Sequence, residues 1–441
     1  MTDGVIIGDG AMGTMLQSVG MPPDLAPEKW NLDRPDVVRS IHGRYVEAGA
    51  QIIGTNTFGG NRIKLRDTLH EEVWQMNYAG ARLARDVAGD HVLVAGSMGP
   101  TGGLLAPWGD LAFADVMVAY QEQAEALAAG GVDVLLIETM MDMQEARAAF
   151  LGAAKTRLPI GVQLTFQETG RTLMGTPAQV AAGVFHELGA TWVGTNCGTG
   201  PLAMVDIVTN MQLMAGNISA FPNAGLPTIK DGHEVYPMEP EKFAAYASEL
   251  AKAGAILIGG CCGTTPHHIS LLRSSLKDQP FTGSLPDMLR ETVSSSSHTP
   301  CSTWVVGEEP SGQGDSAIFL ASRTALFPIE RGGDSYHFVN ASSLRDLPLG
   351  SAWEVTEEDS SVVPVALLNI PKDFDAQEIA AAVTELQMVP APVVFASDTV
   401  SSLQIALEHY CGRAGVLVPE DGREQDYVEL ARTLGALAVY A

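Results

Sequence analysis

The sequence has no run of eighteen consecutive apolar residues, and its opening, MTDGVIIGDG, carries neither the basic end nor the long apolar stretch of a secretory signal. No membrane-spanning helix is expected, and a protein of the cytoplasm is. Basic residues are scarce, 26 Lys and Arg against 52 Asp and Glu, which leaves a net charge of −26. Phosphate backbones and anionic lipid surfaces would be repelled, so neither nucleic acid nor membrane is an expected partner. Cysteine is scarce as well: five residues, an odd number, two of them adjacent. A dense disulfide framework is excluded on that count, and metal binding or catalysis is the better use for the thiols. With 46% hydrophobic residues over 441 positions, the chain can instead fill two or three globular cores.

Up to about residue 275, short β-branched and apolar runs alternate with longer segments of helical period, the pattern of a parallel sheet. Eight runs are expected as strands: 5–8, 51–55, 92–96, 132–138, 160–165, 192–196, 218–222 and 256–259. Four are introduced by a helical segment and a glycine, Gly49, Gly131, Gly189 and Gly254, the residue that caps a helix in the left-handed conformation. Before the fourth run, Val116, Tyr120, Ala124 and Leu127 recur at helical spacing. Eight strand–helix units in this length are the size of a (β/α)8 TIM barrel; the rival, a doubly wound open sheet, lacks a GxGxxG turn. Residues 1–282 are taken as this barrel. Residues 283–316, rich in Ser, Gly, Pro and Thr, have the composition of a linker. Residues 317–441 are expected as a smaller α/β domain, too short for a second complete barrel.

In a barrel of this kind, chemistry sits just after the strands. Cys197 follows the sixth run, and Cys261 and Cys262 follow the eighth. Three thiolates suit Zn²⁺ and leave its fourth tetrahedral position for a substrate; the alternatives are small buried residues or a vicinal redox pair. A substrate thiol in that fourth position would be deprotonated at neutral pH and held as a nucleophile. Asp9 follows the first run and Glu138 closes the fourth. Either could hold a substrate ammonium, or serve as a loop cap. Asn56 and Phe58 after the second run, and Asn223 after the seventh, are candidates for pocket walls. His267 and His268 are read as a helix start after Pro266 rather than as ligands, Asp231-Gly232-His233 as no corrinoid motif, and Cys301 and Cys411 as plain thiols.

Gly8-Asp9-Gly10-Ala11-Met12-Gly13-Thr14, Thr55-Asn56-Thr57-Phe58, Gly194-Thr195-Asn196-Cys197 and Gly259-Gly260-Cys261-Cys262-Gly263-Thr264 together resemble the homocysteine S-methyltransferase family, most of all the homocysteine-binding barrels of cobalamin-dependent methionine synthases. The resemblance covers residues 1 to about 275. It implies Zn²⁺ on Cys197, Cys261 and Cys262, with homocysteine bound through sulfur and its amino group near Asp9 and Glu138. Val394-Phe395-Ala396-Ser397-Asp398, Ala406-Leu407 and Gly412 resemble the middle of the pterin-binding barrel of those synthases, at about half its length. Ala396 and Leu417-Val418 stand where that family has its acidic and Asn-Ser pterin contacts. The expected reaction is methyl transfer to homocysteine, giving methionine, from methylcobalamin on a separate corrinoid protein. The alternatives are S-methylmethionine or betaine as donor, or a non-catalytic zinc- and homocysteine-binding subunit. The second domain is expected to pack on the barrel or on a second chain in a homo-oligomer.

Overall fold

The computed structural model of the chain describes residues 4–66, 72–230 and 233–277, and beyond them 303–305, 318–321, 326–329, 336–341, 363–386 and 392–440. No helix among the described residues is long and apolar enough to cross a membrane.

The eight expected strands are all present, displaced at their ends by a residue or two: β1 (Ile6–Ile7), β2 (Ile52–Gly54), β3 (Leu93–Met98), β4 (Val134–Met140), β5 (Ile160–Leu164), β6 (Trp192–Asn196), β7 (Ile218–Phe221) and β8 (Ala255–Ile258). They run parallel in the order β1-β8-β7-β6-β5-β4-β3-β2. The ring closes where Gly8 bridges Ile52 and the Gln51 backbone N–H donates to the Ile7 carbonyl at 2.7 Å. The (β/α)8 reading therefore stands and the open sheet does not. Helices follow each strand: α1 (Pro35–Ala48), α2 (Val73–Ala88), α3 (Phe113–Gly130), α4 (Met143–Ala153), α5 (Ala178–Glu187), α6 (Pro201–Gln212), the broken pair Pro240–Ala245 and Ala247–Lys252, and α7 (Pro266–Ser275). Val116, Tyr120, Ala124 and Leu127 of α3 are all buried, as their spacing requires. Gly49, Gly131, Gly189 and Gly254 all have positive φ at the expected helix ends.

Alternate residues of each strand point inward. Ile6, Ile52, Leu93, Ala95, Val134, Leu136, Trp192, Phe221 and Leu257 form one cluster inside the ring, separate from the larger core between strands and helices. Two of these side chains are large, and glycine stands opposite each. A Cβ on Gly161 would lie 2.2 Å from the Trp192 ring, and one on Gly8 or Gly259 would lie 2.4 Å from Phe221. The two aromatic rings in the bore fit only because these neighbours have no side chain.

The second unit is an open parallel sheet among the described residues. Its strands are β9 (Thr303–Val305), β10 (Tyr336–Ala341), β11 (Val363–Asn369), β12 (Val393–Ala396), β13 (Gly415–Leu417) and β14 (Leu437–Tyr440). Their order is β9-β14-β13-β12-β11-β10. Thr303–Val305 falls inside the segment expected as linker yet pairs with β14 as an edge strand; the remainder of 283–316, Cys301 included, and Asp231-Gly232 lie outside the described residues. Helices α8 (Ala376–Leu386), α9 (Val400–His409) and α10 (Glu424–Leu434) belong to this unit, and a short antiparallel hairpin joins Ile318–Ala321 to Leu326–Ile329.

This unit packs on the helical wall of the barrel. Arg147 of α4 is buried across the junction, its guanidinium donating to the carbonyls of Tyr410 at 2.7 Å and Gly412 at 2.8 Å and to that of Leu407. These carbonyls lie at and just beyond the end of α9, where a helix has no internal donors left and its dipole favours a cation. Gln144 adds a bond to the Glu408 carbonyl at 2.9 Å, and Arg413 pairs with Glu187 of α5 at 3.0 Å with both side chains almost wholly buried. Replacing Arg147 by Ala leaves several buried carbonyls without a donor, at about 1–3 kcal/mol each. The expected result is a loss of roughly 3 kcal/mol in urea unfolding, with amides of 392–440 losing hydrogen-exchange protection before those of the barrel strands.

Candidate metal and substrate site

Strands β6, β7 and β8 are adjacent, and the end of β7 organises the loops on both sides. The Cys197 N–H donates to the Phe221 carbonyl at 3.1 Å, the Cys261 N–H to the Pro222 carbonyl at 2.8 Å, and the Ala224 N–H to the Cys262 carbonyl at 2.9 Å. Cys197 takes a left-handed φ of 58°, unusual for a residue with a side chain. Thr264 closes the turn after the cysteine pair, its hydroxyl donating to the Cys261 carbonyl at 2.7 Å and its N–H to the same carbonyl at 3.1 Å. That hydroxyl also accepts the Ala11 N–H at 3.1 Å, and the Tyr45 hydroxyl donates to the Ala11 carbonyl at 2.7 Å. The loop after β1 is thereby fixed to the loop after β8.

The three cysteine sulfurs lie within 4.8 Å of one another, and those of Cys197 and Cys262 are 4.0 Å apart. Tetrahedral ligation with Zn–S bonds of 2.3 Å requires sulfurs roughly 3.8 Å apart, so the donor set and its spacing fit the ion. The thiols compete for one negative charge. S–H groups of Cys261 and Cys262 donate to Cys197 and hold its thiol at about 3. The reverse effect, with burial, drives Cys261 well above its ordinary value and Cys262 up to about 11.

A cavity of about 400 Å³ opens over the sulfurs. Asp9 and Glu138 line it, as do Asn56 and Phe58. Asp9 accepts the Gly54 N–H at 2.8 Å; burial and the nearby Glu138 push its carboxyl up to about 8. Glu138 accepts the Ser97 hydroxyl on one oxygen and the Asn196 amide on the other, the latter at 3.2 Å. Burial pushes Glu138 up to about 7 despite the Ser97 bond. Two carboxyls and three sulfurs thus line one cavity, an arrangement suited to a ligand with an ammonium at one end and a thiol at the other.

Some candidates sit differently from the sequence expectation. Asn56 borders the cavity, but its amide turns away from it to the Pro27 carbonyl at 2.8 Å and Asn31 at 3.0 Å, where it fixes the loop. The Phe58 ring lies 5.0 Å beneath the Lys64 ammonium at the rim. Asn223 is not among the cavity-lining residues; its amide bonds to Cys197 instead. His268 is no ligand: Nδ1 completes a capping box with Thr265 at the start of α7, and Nε2 meets the Met238 carbonyl at 3.1 Å. Ser97, Thr139, Asn196 and Tyr236, which bonds to Cys262, were not singled out from the sequence. The position of Ser97, Thr139 and Asn196 near the ends of strands β3, β4 and β6 is the signal that could have drawn attention to them.

The fold and site define a class: a (β/α)8 barrel whose mouth carries a cluster of three thiols, of a kind that can hold a metal ion, facing two half-buried carboxyls. Within that class, residues 6–276 match the homocysteine S-methyltransferase family, and the chain belongs to it. It is 32% identical to methionine synthase of Mycobacterium leprae (strain TN), over 99% of this chain and 38% of that protein. It is 31% identical to methionine synthase of Mycobacterium tuberculosis (strain ATCC 25618 / H37Rv), over 93% of this chain and 35% of that protein. The chain thus spans a little over a third of the length of these curated relatives. The fold is shared with the homocysteine methyltransferase MmuM of Escherichia coli in its metallated form, with a TM-score of 0.52, 24% identity, and coverage of 61% of this chain and 96% of that one.

Two outcomes are expected from titration. Cys197 is pushed toward the thiolate whereas Cys261 and Cys262 are pushed toward the protonated thiol, so loading the metal-free chain with zinc should release roughly two protons per ion. Calorimetry in buffers of different ionisation enthalpy counts them. Asp9 binds its proton in the folded chain up to about pH 8 but loses it near 4 when unfolded, so its contribution to stability falls as pH rises through that window. Denaturant midpoints of Asp9→Asn should therefore gain on those of the parent chain between pH 5 and pH 8.

Proposed function

We propose that the chain is a zinc-dependent methyltransferase that accepts a methyl group onto homocysteine sulfur, giving methionine, from a methylcorrinoid held on a separate protein. The observation that carries the reading is the cluster of three sulfurs opening on the same cavity as Asp9 and Glu138. The homocysteine-binding unit is assigned to residues 1–282, and the unit from 317 onward to packing or docking rather than pterin binding.

Cys197, Cys261 and Cys262 would fill three of four positions on the ion. Bound zinc supplies a Lewis acid that lets a substrate thiol ionise at neutral pH. Asp9 and Glu138 take the substrate ammonium, and its arrival restores to both carboxyls the charge that burial alone opposes. Phe221 and Leu136 line the cavity as well, giving apolar walls against which water is excluded from the sulfur. Held in this way the sulfur is aimed outward: it attacks the methyl carbon, the new S–C bond forms, and the donor's bond to that carbon breaks with the electron pair leaving on the donor. The pair of methionine synthase relatives, similar along nearly the whole chain including the second unit, supports a corrinoid donor over a sulfonium or betaine one. Free thiols at the cluster call for a reducing compartment, which supports the cytoplasm.

The test is methyl transfer to homocysteine by zinc-loaded chain, from methylcobalamin and from S-methylmethionine in parallel, read by mass spectrometry of the product. Methionine from methylcobalamin is expected; product from the sulfonium alone would reassign the donor. Cys261→Ala should lose zinc and turnover while keeping the barrel's circular dichroism, and retained turnover would sink the mechanism. Glu138→Gln should raise KM for homocysteine by about tenfold or more, and change it much less for 4-sulfanylbutanoate, which has the thiol and lacks the amine.

A further inference from the structure

Asn196 ends β6 immediately before the first ligand cysteine, and its side chain leaves that cysteine and crosses the barrel mouth to β4. Its Oδ1 accepts the Thr139 N–H at 2.8 Å; its Nδ2 donates to the Thr139 hydroxyl at 2.8 Å and to Glu138 Oε2 at 3.2 Å, and lies 3.9 Å from the Cys261 sulfur. The side chain is wholly buried and all its hydrogen-bonding atoms are used. Thr139 sits at a φ of 62°, a left-handed conformation that its β-branched side chain opposes. The β4–β5 register shifts between Ile137 and Met140, which is where Glu138 and Thr139 lie. On the other side, the Thr165 hydroxyl donates to the Asn196 carbonyl at 3.0 Å, holding the peptide that leads into Cys197 with its own positive φ. One amide thus ties together two strained residues, one beside a carboxyl and the other within the thiol cluster.

We propose that Asn196 is a positioning residue that fixes Glu138 relative to the cysteine sulfurs, and that it thereby selects acceptors carrying an amine two carbons from the thiol-bearing one. The inference rests on the proposed reading of Asp9 and Glu138 as the ammonium site. Without the amide, Thr139 relaxes out of the left-handed region, the irregularity in β4 is lost and the Glu138 carboxylate swings from its place opposite the sulfurs. The cysteines keep their own backbone bonds to residues 221–224, so the metal set survives.

The test compares Asn196→Ala with the parent chain. A crystal structure of the variant is expected to show Thr139 at negative φ and Glu138 displaced, with the three sulfurs still clustered; Thr139 and Glu138 unmoved would overturn the proposal. This readout needs no turnover and stands apart from the reading of function. For zinc-loaded chain, affinity for homocysteine should fall about 10–100-fold while that for 4-sulfanylbutanoate changes less than threefold. Equal losses for the two thiols would show a merely structural role and overturn the proposal. Adding Thr139→Gly to the variant should restore part of the discrimination, because glycine takes the left-handed φ without a tether. Homocysteine binding no tighter than 4-sulfanylbutanoate in the parent chain would instead defeat the ammonium-site reading, and the selectivity part of this proposal with it.

Discussion

Every cysteine of the cluster is tied to the same four residues, Phe221 to Ala224. Adjacent carbonyls at the end of β7 receive the amides of Cys197 and Cys261, the Ala224 amide binds the Cys262 carbonyl, and Asn223 reaches the Cys197 sulfur. Since thiols from two non-adjacent strands converge only through the strand between them, the register of β7 decides whether the sulfurs meet. A slip of one residue would turn Phe221 out of the bore and remove the carbonyls that the cysteine amides need. The glycines around Phe221 follow from the same constraint, because the ring that ends β7 fills the space where neighbouring side chains would lie.

The electrostatics of the mouth are arranged around charges that the chain alone does not supply. Three thiols share one negative charge, and two carboxyls are pushed toward neutrality by burial, Asp9 also by Glu138 and Glu138 also by Cys197. Negative charge held in a half-buried site is relieved by cations, at the sulfurs and at the acids alike. A cation bound there would relieve a penalty built into the folded chain, which offsets the cost of entering a pocket with apolar walls.

Much of this was legible in the sequence. Eight strand runs, the glycine caps and the cysteines and acids at strand ends all depend on local periodicity or on position in a repeating unit, and these the chain displays directly. Asn196 was part of a recognised motif, but its work is done on β4, some 57 residues away, and no local pattern announces a lateral contact. Asn223 has the turn chemistry of a loop residue, and only the packed site shows that it serves a sulfur rather than the cavity. Thr303–Val305 is flanked by Ser, Gly and Pro, so composition marks a linker where pairing with β14 makes a strand. Arg147 occupies an ordinary helical position and is buried only because a second unit covers it.

That coverage bears on how portable the barrel is. A (β/α)8 unit with a self-contained site is the kind of module that gene fusion can move between proteins, but here its outer wall carries a buried guanidinium whose acceptors belong to the other unit, and Glu187 lies in a similar pair with Arg413. Excised by itself, the barrel would present these groups to solvent alongside the Phe113 ring on which Arg147 stacks at 4.9 Å. Recombination that carries the two units together leaves the wall intact; recombination that parts them requires a new surface to be evolved at α4 and α5. The second unit is in that sense inherited with the barrel.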